Sequence, residues 1–378
     1  MFVLFTLILI LIFVLFKNNR SNKLYNILVT LCCSVILFSL LINPKICIVS
    51  SLEGANLFIT KVFPTLFAFS MITNVILNCD GIYIYSKLFG KLLCRPLSLP
   101  DNCSLPLIVS GLCGYPLGAK YSCELYANKE IDFFSLQKLL NIASNCSPLF
   151  IVGTIGTVML NNTNVSYIIL ISSYLSCFII GLLLKSKKNY EKKLKTQIHN
   201  YSPLNLGDVL KKSVEASIDT CILVFGFIVI FSVFIGIIEN ITLFKTLFKS
   251  NIIKALILGI LEMTNGCNAI SMSHTSLVIK IMLLSFFTSF SGICVIFQVY
   301  SFTSKHNVPI FRYIILKLLQ AIISSVLTLI LYFLTAKSTF TFSPAMSTVN
   351  KFDITVIMII IFLLPFIVYK VIKYITFF

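Results

Sequence analysis

Two charged side chains stand beside breaks in otherwise apolar stretches. Lys120 closes "SGLCGYPLGAK" (110–120), where Gly111, Gly114, Pro116 and Gly118 forbid a continuous helix. Glu262 lies six residues into an apolar run and just before "TNG" (264–266). A helix that restarts after a break presents free N–H groups and partial positive charge at its amino end. With an ammonium beside it, as at Lys120, such an end suits an anion. The same lysine has another use open to it: pairing with Glu124 one turn on, or reaching to the membrane surface. Glu262, and with it Glu124, is a candidate carrier of a coupling proton or cation, because an ionisable residue at that depth is a functional candidate by default. A carboxylate at the mouth of a hairpin is the other reading of Glu262.

Polar but uncharged residues gather around the breaks. Gly114, Tyr115, Pro116, Gly118, Asn145, Ser147, Thr264, Asn265, Gly266, Asn268, Ser289 and Ser291 make up, with Lys120, the expected binding set for a small polar solute. Hydrogen bonding between helices is an equally open use for each of them. His274 has no His, Cys or carboxylate partner at metal-binding spacing, and no nucleophile–base set, phosphate loop or dinucleotide fingerprint is present. The expectation is a protein that is not an enzyme and holds neither metal nor organic cofactor.

The elements that would position these residues are membrane helices. Of 378 residues 58% are hydrophobic and only 11% charged, with a mean hydropathy of +0.98, where a soluble chain carries roughly 25% charged residues. Several runs exceed the ~18 residues that read as a bilayer span. The net charge of +17 is then topogenic, and nucleic acid is not an expected partner. The thirteen cysteines form no paired motif and read as small buried hydrophobes. "MFVLFTLILILIFVLFKNNR" reads as a first span that is kept, lacking a basic leader and a cleavage site.

Hydropathy places full spans near 2–16, 24–43, 62–84, 166–184, 218–238, 313–334 and 353–370. Two longer segments, 133–160 and 276–302, are interrupted at "NCSP" (145–148) and "SFSG" (289–292). Two shorter apolar pieces, 104–113 and 252–263, run into the Gly-rich breaks and read as the first arms of re-entrant hairpins. Assigning 17–23, 85–103, 185–212, 303–312 and the carboxyl end to the cytoplasm puts eighteen Lys/Arg inside against seven outside, as the positive-inside rule asks. The expected fold is all-α and polytopic, with about nine transmembrane helices and two re-entrant hairpins.

The halves resemble each other. "SLEGANLFITKVFPTLFAFS" (51–70) aligns without gaps to "SVEASIDTCILVFGFIVIFS" (213–232), with identical pairs Ser51/Ser213, Glu53/Glu215, Val62/Val224, Phe63/Phe225, Phe69/Phe231 and Ser70/Ser232. "GLCGYPLG" (111–118) then parallels "GILEMTNG" (259–266), and "NCSP" parallels "SFSG". The charge count starts one repeat outside and the other inside, so they are expected to be inverted repeats, whose broken helices meet near the midplane around a solute site. Irregular backbone at that depth must be buried in protein or line a cavity.

"SGLCGYPLGAK", "NIASNCSPLFIVGTIGTVML", "GILEMTNGCNAIS" and "SFSGICVIFQV" together resemble the YlbJ-type sporulation integral membrane proteins, which carry a nucleoside-recognition or Gate domain. The resemblance covers about residues 46–335. Together with the hydropathy and charge pattern, it gives an expected order of N-terminal transmembrane helices (1–45, outside the resemblance), a first Gate-like repeat (46–184), a basic cytoplasmic linker (185–205), an inverted second Gate-like repeat (206–335) and a C-terminal transmembrane helix (336–378, also outside it). It also implies a core like that of concentrative nucleoside transporters. The implied role is movement of dipicolinic acid from mother cell toward forespore across the outer forespore membrane. A membrane protein that recruits partners through its basic loop, or a carrier of nucleoside-like solutes, are the alternatives. Expected partners are a small anionic solute, the lipid bilayer, and a second membrane protein or further copies of the chain.

Overall fold

The computed structural model describes residues 23–79, 81–184, 205–240 and 251–338, and every element in them is helical. The expected spans at 2–16 and 353–370 and most of the basic linker lie outside the described residues.

Helix α1 (Lys23–Ile42) leads into α2 (Pro44–Asn78), a helix of 35 residues that loosens into one π-helical stretch at Phe58–Val62. A shorter helix, α3 (81–94), and a 3₁₀ turn at Asp101–Cys103 connect to the first hairpin, α4 (Ser104–Cys113) and α5 (Leu117–Ala127). Then come α6 (Phe133–Ile142), a non-helical stretch, the π-helical α7 (Leu149–Met159) and α8 (Thr163–Leu183). The second half begins with α9 (Leu206–Asn240), continues into a second hairpin of α10 (Asn251–Leu261) and α11 (Met263–Ser271), and closes with α12 (Leu277–Phe290), α13 (Gly292–Thr303) and α14 (Ile310–Ser338). Long helix, hairpin, interrupted helix, long helix: this order occurs twice.

Five helical stretches among the described residues are long and apolar enough to cross a membrane: Pro44–Asn78, Thr163–Leu183, Leu206–Asn240, Leu277–His306 and Ile310–Thr335. Several boundaries differ from those read from hydropathy. The first repeat's opening span is a helix from Pro44 rather than from 62, because Pro44 takes the first-turn position it favours and Gly54 lets the polar stretch pack closely on Ser232. The second hairpin breaks at Glu262, not at "TNG", since the Glu262 carboxylate caps a helix that already includes Thr264–Gly266. The "SFSG" interruption narrows to Ser291 and Gly292, both at positive φ (74° and 78°), whereas at "NCSP" the backbone leaves the helix from Ala143 to Ser147.

Helices α2 and α9 lie side by side along their lengths. Ser50 sits against Gly236 and Gly54 against Ser232 near one end, while Asn74 and Asn78 donate to Ser217 (3.0 Å) and Ser213 (3.1 Å) near the other. The pairing is antiparallel, and Val62 and Val224, the aligned pair midway, border one cavity. Segments expected on the cytoplasmic side, represented by Leu99, Leu184 and Val308, meet at one end. Segments expected outside, represented by Glu53, Glu239 and Lys254, meet at the other.

Candidate functional site

All four interruptions converge on a central cavity of about 400 Å³. Tyr115 and Pro116 come from the first hairpin, Ser147 and Phe150 from the start of α7, Glu262 and Thr264 from the second hairpin, and Cys294 and Gln298 from α13. In each case the chain enters a helix beside the cavity. The starts of α5 and α7 bring their partial positive charge to it. The start of α11 is capped by Glu262 on the same wall, and α13 contributes Cys294 and Gln298 from past its start. Lys61, on the π-helical stretch of α2, adds a full positive charge to the lining.

Glycines let these breaks touch. At Gly114 (φ 84°) a side chain would be strained, and its Cβ would lie 2.7 Å from the Ser147 backbone nitrogen. Tyr115 N–H donates to the Asn145 carbonyl at 2.8 Å, stitching the first break to the second. Across the repeat, Gly292 (φ 78°) does the same against Met263 and Gly259. The Tyr115 hydroxyl reaches the Met263 sulfur, which links the two hairpins.

Glu262 is buried and works as a helix cap: one carboxylate oxygen accepts from Thr264 N–H at 3.0 Å and the other from Asn265 N–H at 2.8 Å. It supplies from within the chain the anion that the start of α11 favours.

The remaining expected residues divide. Lys120 does not line the central cavity; its ammonium donates to Thr220 Oγ1 at 3.0 Å and Ala216 O at 3.4 Å on α9, and stands 3.9 Å from Glu124. Its place on the fourth residue of α5 turns it away from the break. Glu124 borders a small cavity of about 170 Å³ beside Asn78 and Tyr121. Asn145 turns its side chain toward α8 and α14, bonding Ile142 O, Cys177 and Gln320. Gly118 packs against the Ala143 carbonyl and Gly266 against Gly259. Asn265 and Asn268 line a wide vestibule of about 650 Å³. Ser289 bonds Ser173 at 3.2 Å, and the Ser291 hydroxyl folds back on the Phe290 carbonyl.

Two features were not singled out from sequence. Thr60 and Lys61 border both the central cavity and the wide vestibule, and so stand between them. Lys317, the eighth residue of α14, is 1% exposed and donates to the Ser144 carbonyl and to Gln320 Oε1 at 2.9 Å, directly behind the "NCSP" break. The available signal was a lysine inside the apolar run 313–334 with an amide three residues on.

At the end opposite the vestibule, the interface is tied by polar bonds. Tyr121 OH donates to Asn74 Oδ1 at 3.1 Å, Asn74 to Ser217, Asn78 to Ser213 and Lys120 to Thr220.

The chain is 24% identical over 321 residues to the sporulation integral membrane protein YlbJ of Bacillus subtilis (strain 168), covering 77% of this chain and 78% of that protein. The likeness carried by the motifs is thus borne out along most of the sequence. No family model matches the chain, and no solved structure matches it.

Proposed function

We propose that this relative of a sporulation membrane protein carries a small anionic solute across the membrane, dipicolinate being the solute that the YlbJ-type resemblance implies. In that reading the acid passes from mother cell to forespore across the outer forespore membrane. The observation that carries the proposal is the meeting of the four helix breaks around one cavity bordered by Lys61 and by the starts of α5 and α7, which attract negative charge without a metal or cofactor, while Glu262 on the same wall is spent on capping α11. An inverted-repeat mechanism of alternating access is supported by the repeated element order and by the antiparallel pairing of α2 with α9. Thr60 and Lys61 stand between the cavity and the 650 Å³ vestibule at one end, while the Lys120–Thr220, Tyr121–Asn74 and Asn78–Ser213 bonds tie the other. In this scheme Lys120 is part of a gate, not of the solute site.

The test is the dipicolinate content of spores whose only copy of this chain is wild type or carries Gln298→Leu with Ser147→Leu, two changes that crowd the cavity. Protein level and the mother-cell pool are measured alongside. The expected result is normal spore dipicolinate with the wild type. The crowded variant, present at the same level, leaves the acid in the mother cell. Normal spore dipicolinate without the chain would overturn the reading.

A further inference from the structure

The end of the molecule away from the wide vestibule holds a second cavity, of about 380 Å³, between α6, α8 and α14. Its polar lining includes Lys138, Asn141, Arg312 and Tyr313, and among the described residues no Asp or Glu borders it. Lys138 is buried and spends one N–H on the Leu184 carbonyl at 2.7 Å, leaving two for another acceptor. Arg312 is exposed at the rim and forms no ion pair with a described residue.

Asn141 carries the second, independent observation. Only 6% exposed, it donates its amide N–H to the Gln137 carbonyl at 2.8 Å, yet its Oδ1 has no partner. Turning the amide over would set that oxygen against the Gln137 carbonyl, so the orientation is fixed. Buried polar atoms of this kind are normally satisfied. The cavity therefore offers cationic donors at one side and, within the wall that Asn141 forms, an unmet acceptor. Its natural occupant is an anion that also carries an O–H or N–H donor.

The remaining lining is apolar, with Leu99, Phe134 and Leu184 among it. Ile315, Leu318, Leu319 and Ile322 stay exposed on the adjoining turns of α14, a surface suited to acyl chains. We propose that this cavity binds a phosphate ester bearing a neighbouring hydroxyl or ammonium group, as in a phospholipid headgroup. The phosphate lies between Lys138 and Arg312, and the hydroxyl or ammonium donates to Asn141 Oδ1. The site is separate from the central cavity and does not depend on the transport reading. Basic pockets between membrane helices at the cytoplasmic side are suited to such headgroups.

The experiment uses the full chain in neutral detergent, with native mass spectrometry and thermal unfolding as readouts. Probes are phosphatidylglycerol, phosphatidylcholine (whose headgroup has no O–H or N–H) and soluble glycerol 3-phosphate. The wild type should retain one phosphatidylglycerol and unfold at higher temperature with it, and should bind phosphatidylcholine about tenfold more weakly. Arg312→Gln, a change at an exposed side chain, should lower phosphatidylglycerol binding about tenfold. Asn141→Asp should abolish it by charge repulsion. Stabilisation by glycerol 3-phosphate but not by the lipid would assign the same chemistry to a free ester. Equal binding of both lipids, no effect of Arg312→Gln, or no binding of any probe by the folded wild type would overturn the proposal.

Discussion

The two ends of the α2–α9 pair are held by different physics. At one end small residues bring the backbones together, Ser50 against Gly236 and Gly54 against Ser232, and a 650 Å³ vestibule stands beside them. At the other, side-chain amides and hydroxyls form a ladder through Asn74, Asn78, Tyr121, Ser213 and Ser217, and the cavity beside it holds only 170 Å³. The hairpins differ in the same sense. The one at the vestibule starts its inner helix with a buried acid, Glu262, while the one at the ladder starts it with Pro116. Close packing without directional bonds permits sliding and tilting. A hydrogen-bonded ladder inside lipid must be broken bond by bond, with no water to replace the partners. One pair of helices thus has an end built to yield and an end built to latch.

The comparison can be broken most severely at Gly236. Gly236→Leu drives a side chain into Ser50 and should cost about 3 kcal/mol, read as a lowered Tm in detergent. Glu262→Gln leaves one cap donor without a good acceptor and removes the charge favoured at the start of α11. About 2 kcal/mol is expected from the same measurement. Asn74→Ala removes bonds to both Tyr121 and Ser217 and should cost about 1 kcal/mol. Its sharper readout is chemical: Cys221, buried on the same stretch of α9, should react faster with a maleimide once the ladder is cut. Glu239→Gln, at the vestibule, breaks a partly exposed pair with Lys254 (2.8 Å) and should change Tm by less than about 0.5 kcal/mol equivalent. If Asn74→Ala left Cys221 labelling unchanged while Glu239→Gln raised it, the assignment of latch and yielding end would be reversed.

Much of the architecture was readable because glycine and proline mark broken helices whatever surrounds them. "GYPLG", "NCSP" and "SFSG" all interrupt helices, and the gap-free likeness of 51–70 to 213–232 falls on the two helices that pair. Direction was harder. Lys120 lies beside a break in the sequence, but the helical phase of α5 sends its ammonium to α9. Glu262 looked like a free acid because the two N–H groups it accepts belong to a helix that exists only once Glu262 caps it. Lys61 borders the cavity only because α2 begins at Pro44 and loosens at Phe58–Val62, a register that hydropathy does not encode. Lys317 was hidden by its apolar neighbours, since a window average dilutes one charge.

Lys317 also bears on how the chain is made. A lysine raises the cost of leaving the translocon by about 3 kcal/mol at the centre of a helix and by less toward its ends. In α14, Lys317 is the eighth of 29 residues, within the turns nearest the end expected to be cytoplasmic. Its acceptor, the Ser144 carbonyl, is 173 residues upstream and freed by the "NCSP" break. By the time α14 is synthesised, the first half has long since been delivered to the bilayer, with that carbonyl waiting inside it. The broken helix therefore serves biogenesis as a docking berth: it receives an ammonium that would otherwise have to reach back to the membrane surface, and favours an order of assembly in which the first half is in place before α14 settles.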